Sequence, residues 1–164
     1  MNKTLEKLKK IHDLCIKHKL TISTAESCTG GYLAKYLTDQ TNSSKYFKGS
    51  IIAYSNDIKT EILNVPVDLL KKHGAVSAEV SACMANGIFA MINSDIALSV
   101  TGVMEKNDDY SHKNTQVFIT IKSSDNEDTF HFFLDGNREV NRKKTVYYAF
   151  SCLYDFIHKH YLLS

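Results

Sequence analysis

The chain has a single proline and only seven glycines in 164 residues. That composition excludes a disordered linker or a collagen-like repeat. No stretch approaches the ~18 apolar residues of a membrane span, and the start, MNKTLEKLKK, lacks the apolar segment of a signal peptide. Charge of one sign is also scarce. Twenty basic residues against eighteen acidic ones leave a net charge of +2, which gives no electrostatic case for nucleic acid. The four cysteines, Cys15, Cys28, Cys83 and Cys152, form no C-x-x-C pair. Their spacing suits neither a zinc site nor a disulfide framework, so reduced, mostly buried thiols in a cytoplasmic protein are expected. The seven histidines contain no H-x-x-x-H pattern, and no metal or other cofactor is expected.

What is present reads as one α/β domain spanning residues 1–164. This length buries roughly two-thirds of the unfolded surface without a staple. Residues 3–19 carry apolar positions at helical spacing, among them Leu5, Leu8, Ile11, Cys15 and Ile16. Residues 21–25 read as a strand, followed by Glu26-Ser27-Cys28-Thr29-Gly30-Gly31 and a second helix over 32–37. A third segment, 50–54, reads as a strand. Ser55 is placed to cap a helix, Pro66 and Gly74 to bound a short one, and Ser77 to cap another. The run 95–100, DIALSV, predicts a strand buried on both faces. Segments 115–122 and 128–134 form a hairpin, and Asn137 opens a last helix reaching about residue 160. The expected architecture is a three-layer α/β/α sandwich around a mixed, five-stranded sheet.

Three constellations could carry chemistry. Ser27 follows a strand in a small-residue turn, which places it near the carboxyl edge of the sheet and beside the N–H groups of the next helix. That geometry suits a nucleophile beside an oxyanion hole, but the same residues would serve equally to start a helix. Cys28 is an adjacent alternative nucleophile, with no histidine near it in sequence. Lys59, about one turn into the helix after Tyr54, could act as base for a serine if its amine were desolvated. It could equally be a solvated surface lysine. The chain's two arginines, Arg138 and Arg142, lie one turn apart and share a helix face. Together they could read an anion, or they could form a solvated basic face with Lys143 and Lys144.

In order, T-A-E-S-C-T-G-G at 24–31, A-Y-S-N-x-x-K at 53–59, H-G-A-V-S at 73–77, Thr101-Gly102 and G-N-R-E at 136–139 resemble the C-terminal domain of the competence-damage-inducible CinA family. The resemblance implies an α/β/α homo-oligomer that acts on a small molecule without a metal and touches neither membrane nor nucleic acid. The implied reaction hydrolyses nicotinamide mononucleotide to nicotinate mononucleotide and ammonia. It implies Ser27 as nucleophile, Lys59 as its base and Tyr54 as an active-site residue. It also implies Cys28, Thr29, Gly30, Gly31, Thr101, Gly102, Arg138 and Arg142 around the substrate, with N–H groups near Cys28 to Gly30 holding the oxyanion. Ser27 and Lys59 are then expected within roughly 3–4 Å of each other.

One segment departs from the family pattern. After Thr101-Gly102 the family carries G-P-x-G-G and then K-P-V-G-T-V. Here residues 103–114 contain no glycine or proline and bring in Glu105, Asp108 and Asp109. Glycine lets backbone N–H groups approach a ligand, whereas carboxylates repel a phosphate. A non-catalytic or re-purposed relative is therefore an alternative expectation, as is an amidase for a small amide without a phosphate.

Overall fold

The computed structural model describes residues 3–106 and 114–163. Helix α1 (Lys3–His18) leads into strand β1 (Ile22–Glu26), helix α2 (Tyr32–Thr38) and strand β2 (Phe47–Ile52). Helices α3 (Asn56–Glu61), α4 (Val67–His73) and α5 (Ala78–Met91) precede strand β3 (Ile96–Val103). The hairpin strands β4 (Gln116–Lys122) and β5 (Glu127–Phe133) and helix α6 (Arg138–Ile157) complete the chain, which continues as a π-helical turn over His158–Leu162.

The sheet is mixed, in the order β2-β1-β3-β4-β5. β1 pairs in parallel with β2 and β3, while β4 and β5 add antiparallel strands. Alternation along β3 sorts its residues between two cores. Ile96, Leu98 and Val100 face a layer built by α1, α2 and α6, where Leu8, Ile11, Leu33, Leu37, Phe150 and Phe156 are buried. Ala97 faces the other layer, with Val80, Met84 and Ile88 of α5. Helices thus cover both faces, as expected from the sequence. The strands expected at 50–54 and 128–134 are shifted, to Phe47–Ile52 and Glu127–Phe133. In β2 the ladder with β1 begins earlier than the β-branched residues suggest, because Phe47 and Gly49 already pair with it. Among the described residues no helix is long and apolar enough to cross a membrane.

Local hydrogen bonding starts the helices where the side chains indicate. Ser55, Ser77 and Asn137 accept from the N–H groups of Ile58, Val80 and Val140. Helix α5 packs closely beneath the chain entering α4. A Cβ placed on Gly87 would lie 2.1 Å from the Leu63 carbonyl oxygen. Backbone on both sides leaves no room to yield, so Gly87→Ala is expected to destabilise the fold by about 2–3 kcal/mol despite its better helix propensity. Urea unfolding of the variant measures this directly.

The parallel strands place a ligand crevice. From β1 the chain passes to β2 on one side, over α2, and then to β3 on the other, over α5. The order reverses between β1 and β3, and the carboxyl ends of these strands are where open α/β sheets bind ligands.

Candidate active site

Ser27 is the residue after β1. Its N–H donates to the Val100 carbonyl (3.0 Å), which extends the β1–β3 ladder by one rung. On the other side the Ala53 N–H donates to the Glu26 carbonyl (2.8 Å). Ser27 is therefore fixed at the carboxyl edge by both neighbouring strands. It opens into a cavity of about 480 Å³, a volume suited to a small organic substrate.

Lys59 reaches the same point from α3. Its Nζ lies 3.1 Å from Ser27 Oγ and donates to the carbonyls of Ala53 (2.7 Å) and Tyr54 (3.3 Å). The side chain is 1% exposed, and all three partners are uncharged oxygens. Desolvation lowers its pKa below that of an ordinary lysine. Cys28 would oppose this as a thiolate, but burial pushes its own thiol up to about 12. Burial thus favours the protonated thiol, the less reactive form of a cysteine. A neutral Lys59 amine has two hydrogens and one lone pair. The two carbonyls take the hydrogens, and the lone pair is left for the Ser27 hydroxyl.

Tyr54, Cys28, Thr101, Gly102 and Arg138 line the cavity with Ser27 and Lys59. Tyr54 stands at the rim, 60% exposed, and its hydroxyl accepts from Arg138 Nη2 (2.8 Å). Thr101 contributes differently from what the motif suggests. Its hydroxyl donates to the Ala75 carbonyl (2.7 Å), so it holds the 74–76 wall. Gly102 is required by the neighbouring strand, because a Cβ there would meet the Gln116 carbonyl oxygen at 2.5 Å.

Four expected substrate-binding residues, Thr29, Gly30, Gly31 and Arg142, do not line this cavity. For the turn residues the reason is Glu26, a fully buried carboxylate for which no role was expected. It accepts from the Thr29 hydroxyl (2.7 Å) and from the N–H groups of Gly31 (3.0 Å), Leu33 (3.1 Å) and Ala34 (2.8 Å). The positive end of α2 is therefore occupied by the protein's own anion and is closed to a ligand. The Gly30 N–H is also spent, on the Ser27 carbonyl (3.1 Å). Among the described residues no other residue takes the N–H groups of Cys28 and Thr29, the Cys28 N–H lying against its own sulfur, and Cys28 is at the cavity wall. Of the oxyanion donors expected around Cys28 to Gly30, only these remain. Arg142 donates to the Thr29 carbonyl (2.5 Å) instead of facing the cavity.

Sequence reasoning also missed Asn56, Val76, Met104 and Asn141. The first three line the cavity. Asn141 is fully buried in α6, and its amide donates to the carbonyls of Met104 (2.8 Å) and Gly136 (2.7 Å) while accepting from the Gly136 N–H (2.8 Å). It ties the end of β3 to the start of α6, and so one wall of the cavity to the segment that carries Arg138. The G-N-R-E motif hinted at this turn, but only the fold brings Met104 to it. Glu105 lines the cavity, whereas Asp108 and Asp109 lie outside the described residues. Among the described residues no three His, Cys, Asp or Glu side chains gather as a metal site.

Comparison with known proteins agrees with this architecture. The CinA C-terminal domain family matches residues 4–157. A Bacillus subtilis (strain 168) protein named as competence-damage inducible is 36% identical over 142 residues, which are 87% of this chain and 34% of that protein. A CinA-like protein of Desulfotalea psychrophila is 37% identical over 139 residues, 84% of this chain and 34% of its own length. The chain thus spans about a third of these curated relatives. The crystal structure of the competence damage-inducible protein A from Klebsiella pneumoniae superposes with a TM-score of 0.90 at 28% identity, covering 98% of this chain and 99% of that one. With a family model matching residues 4–157 and relatives more than 30% identical over most of its length, the chain belongs to the CinA C-terminal domain family.

Proposed function

We propose that this chain is a cytoplasmic amidohydrolase of the nicotinamide mononucleotide type, assembled as a homo-oligomer, with Ser27 as nucleophile and Lys59 as its base. The observation that carries the reading is the 3.1 Å approach of a buried, charge-unpartnered lysine amine to the Ser27 hydroxyl at the mouth of a substrate-sized cavity. In this reading the neutral amine takes the Ser27 proton as Oγ attacks the carboxamide carbon. The Cys28 N–H, with that of Thr29 behind it, stabilises the developing oxyanion. The lysine then returns the proton to the departing nitrogen, ammonia leaves, and water releases the acyl group by the same route in reverse. Arg138, held at the rim by Tyr54, is the cation placed to meet an anionic substituent of the substrate.

Ammonia release from nicotinamide mononucleotide is the direct test. Glu105 on the cavity wall opposes a phosphate, and 103–114 carries none of the glycines on which the donors of the family loop depend. Two lost charge-assisted hydrogen bonds at about 1.5–3 kcal/mol each correspond to about two orders of magnitude or more in binding. Turnover is therefore expected to be slow, and grafting a G-P-x-G-G loop over 103–114 to raise kcat/KM by about a hundredfold. Equal rates for parent and graft would show that the loop does not limit the substrate. A parent and graft both devoid of Ser27-dependent ammonia release would refute the amidohydrolase.

A further inference from the structure

We infer that Arg142 is a positioning residue for the nucleophile turn and not a substrate ligand. It lies in α6 and acts through the Thr29 carbonyl, 113 residues earlier in the chain, to set the reactivity of Ser27. The inference rests on the reading of Ser27 as the nucleophile.

The turn from Ser27 to Gly31 needs such a constraint. It contains two successive left-handed residues, Gly30 (φ +58°) and Gly31 (φ +93°), outside any helix or strand. Glycine reaches both signs of φ with similar ease, so such a pair leaves the peptide planes around it free to rotate unless other groups hold them. The N–H side is held by Glu26, which gathers the donors of Gly31, Leu33 and Ala34. The carbonyl side is held by Arg142. Its Nη2 donates to the Thr29 oxygen at 2.5 Å, where the Tyr32 N–H also donates (3.3 Å). A peptide flip at Thr29–Gly30 would turn that oxygen away from the guanidinium and break a charge-assisted hydrogen bond. The same peptide carries the Gly30 N–H, which closes the turn on the Ser27 carbonyl. Arg142 thereby fixes the turn in which Cys28 stands at the cavity wall beside Ser27.

The surroundings of Arg142 fit this task and leave little for a substrate. The guanidinium carbon sits 4.1 Å from the centroid of the Tyr32 ring, so one face of the group is stacked on the first turn of α2. Nε is buried without a hydrogen-bond partner among the described residues, and Arg142 is absent from the cavity wall that includes Arg138. Gly30 completes the arrangement. A Cβ on it would lie 2.9 Å from Nη2, so the absence of a side chain is what admits the guanidinium to the turn. The preceding residue, Asn141, anchors Met104, so adjacent positions of α6 fix the two sides of the site, β3 through Met104 and the nucleophile turn through Thr29.

The test separates positioning from substrate binding by charge. Two substrates are compared, the uncharged ester p-nitrophenyl acetate and the anionic nicotinamide mononucleotide. A positioning role predicts that Arg142→Met lowers kcat for both by the same factor, about 10- to 100-fold, with each KM within twofold of the parent. Arg142→Lys keeps the charge and one donor and is expected to recover part of the loss on both substrates. Arg138→Met serves as the contrast, raising KM for the nucleotide alone. Urea unfolding identifies any variant that is not folded at the assay temperature. If Arg142→Met fails that check, the lysine variant is judged by the same ratio. An Arg142 variant that raises KM for the nucleotide while leaving ester turnover intact would overturn the inference and restore a substrate-binding arginine. Parent-like kinetics on both substrates, with Ser27→Ala inactive, would overturn the inference alone. Ester hydrolysis unchanged in Ser27→Ala would instead overturn the nucleophile assignment, and the role of Arg142 with it.

Discussion

Replacing Ser27 by alanine or Lys59 by methionine is expected to lower amide hydrolysis by about four orders of magnitude, and the double replacement by no more than the worse of the two. The pair acts as one device. Without the serine there is no acyl acceptor, and without the amine the hydroxyl is a poor nucleophile at neutral pH, so the losses do not add. Additive losses in the double variant would show that the two side chains act in separate steps and would sink the Ser–Lys mechanism.

The same amine gives two pH signatures of defined sign. Catalysis needs Lys59 neutral, so the rate is expected to rise with pH through its lowered folded value, well before an ordinary lysine would titrate. Stability follows by linkage. The unfolded chain, whose lysine titrates near ~10.4, binds the proton more readily than the folded protein. Between the folded value and that of the unfolded chain, stability therefore rises with pH. Below the folded value the penalty of charging a buried amine is fully present. Lys59→Met is expected to remove this contribution to the slope, measured as the difference in urea midpoints of parent and variant across pH 7–10. Parallel profiles would mean that the amine is not desolvated in solution.

The second large effect concerns Glu26. Glu26→Gln is expected to cost about 3–5 kcal/mol of stability, a large share of the ~5–15 kcal/mol that holds a typical domain. One carboxylate oxygen takes Thr29, Gly31 and Leu33, and the other takes Ala34 with a longer contact to Ser50 (3.4 Å). All five are donors in this arrangement. An amide nitrogen at either position could donate to the Thr29 or Ser50 hydroxyl but could accept from none of the backbone N–H groups, orphaning at least one of them. Bonds to a charged acceptor contribute about 1.5–3 kcal/mol each. A urea-derived loss below 1 kcal/mol would show that the turn re-pairs easily and that Glu26 is not its anchor. Because Glu26 fills the N-terminus of α2, that helix end is closed to a phosphate, which leaves Arg138 at the cavity rim as the cation of the proposed anion site.

The serine cap of α3 and the apolar run of β3 are local properties. A hydroxyl reaches an N–H three residues on, and a near-continuous apolar run marks a strand buried on both faces, so both could be read without knowing the fold. The approach of Ser27 to Lys59 was expected only through the family resemblance, since a strand-to-helix junction by itself leaves each residue free to be a cap or a surface side chain. Glu26 was not. Its position beside Ser27 shows a carboxylate near the nucleophile, but not that strands on both sides and α2 above would bury it completely.

The two arginines mark the limit most clearly. One helical turn separates them, so by spacing they share a face and one role. In the folded protein the two arginines meet different partners, which spacing does not encode. Arg138, in the first turn, meets the Tyr54 hydroxyl at the cavity rim, and Arg142, about 6 Å further along the axis, meets the Thr29 carbonyl at the nucleophile turn. The sequence by itself determined the elements and their caps, because these follow from periodicity and short-range bonding, whereas the serine–lysine pair was implied only by the family resemblance. Only the tertiary structure decided which cation faces the substrate cavity and which holds the turn, because each is assigned by a partner more than eighty residues away in the chain.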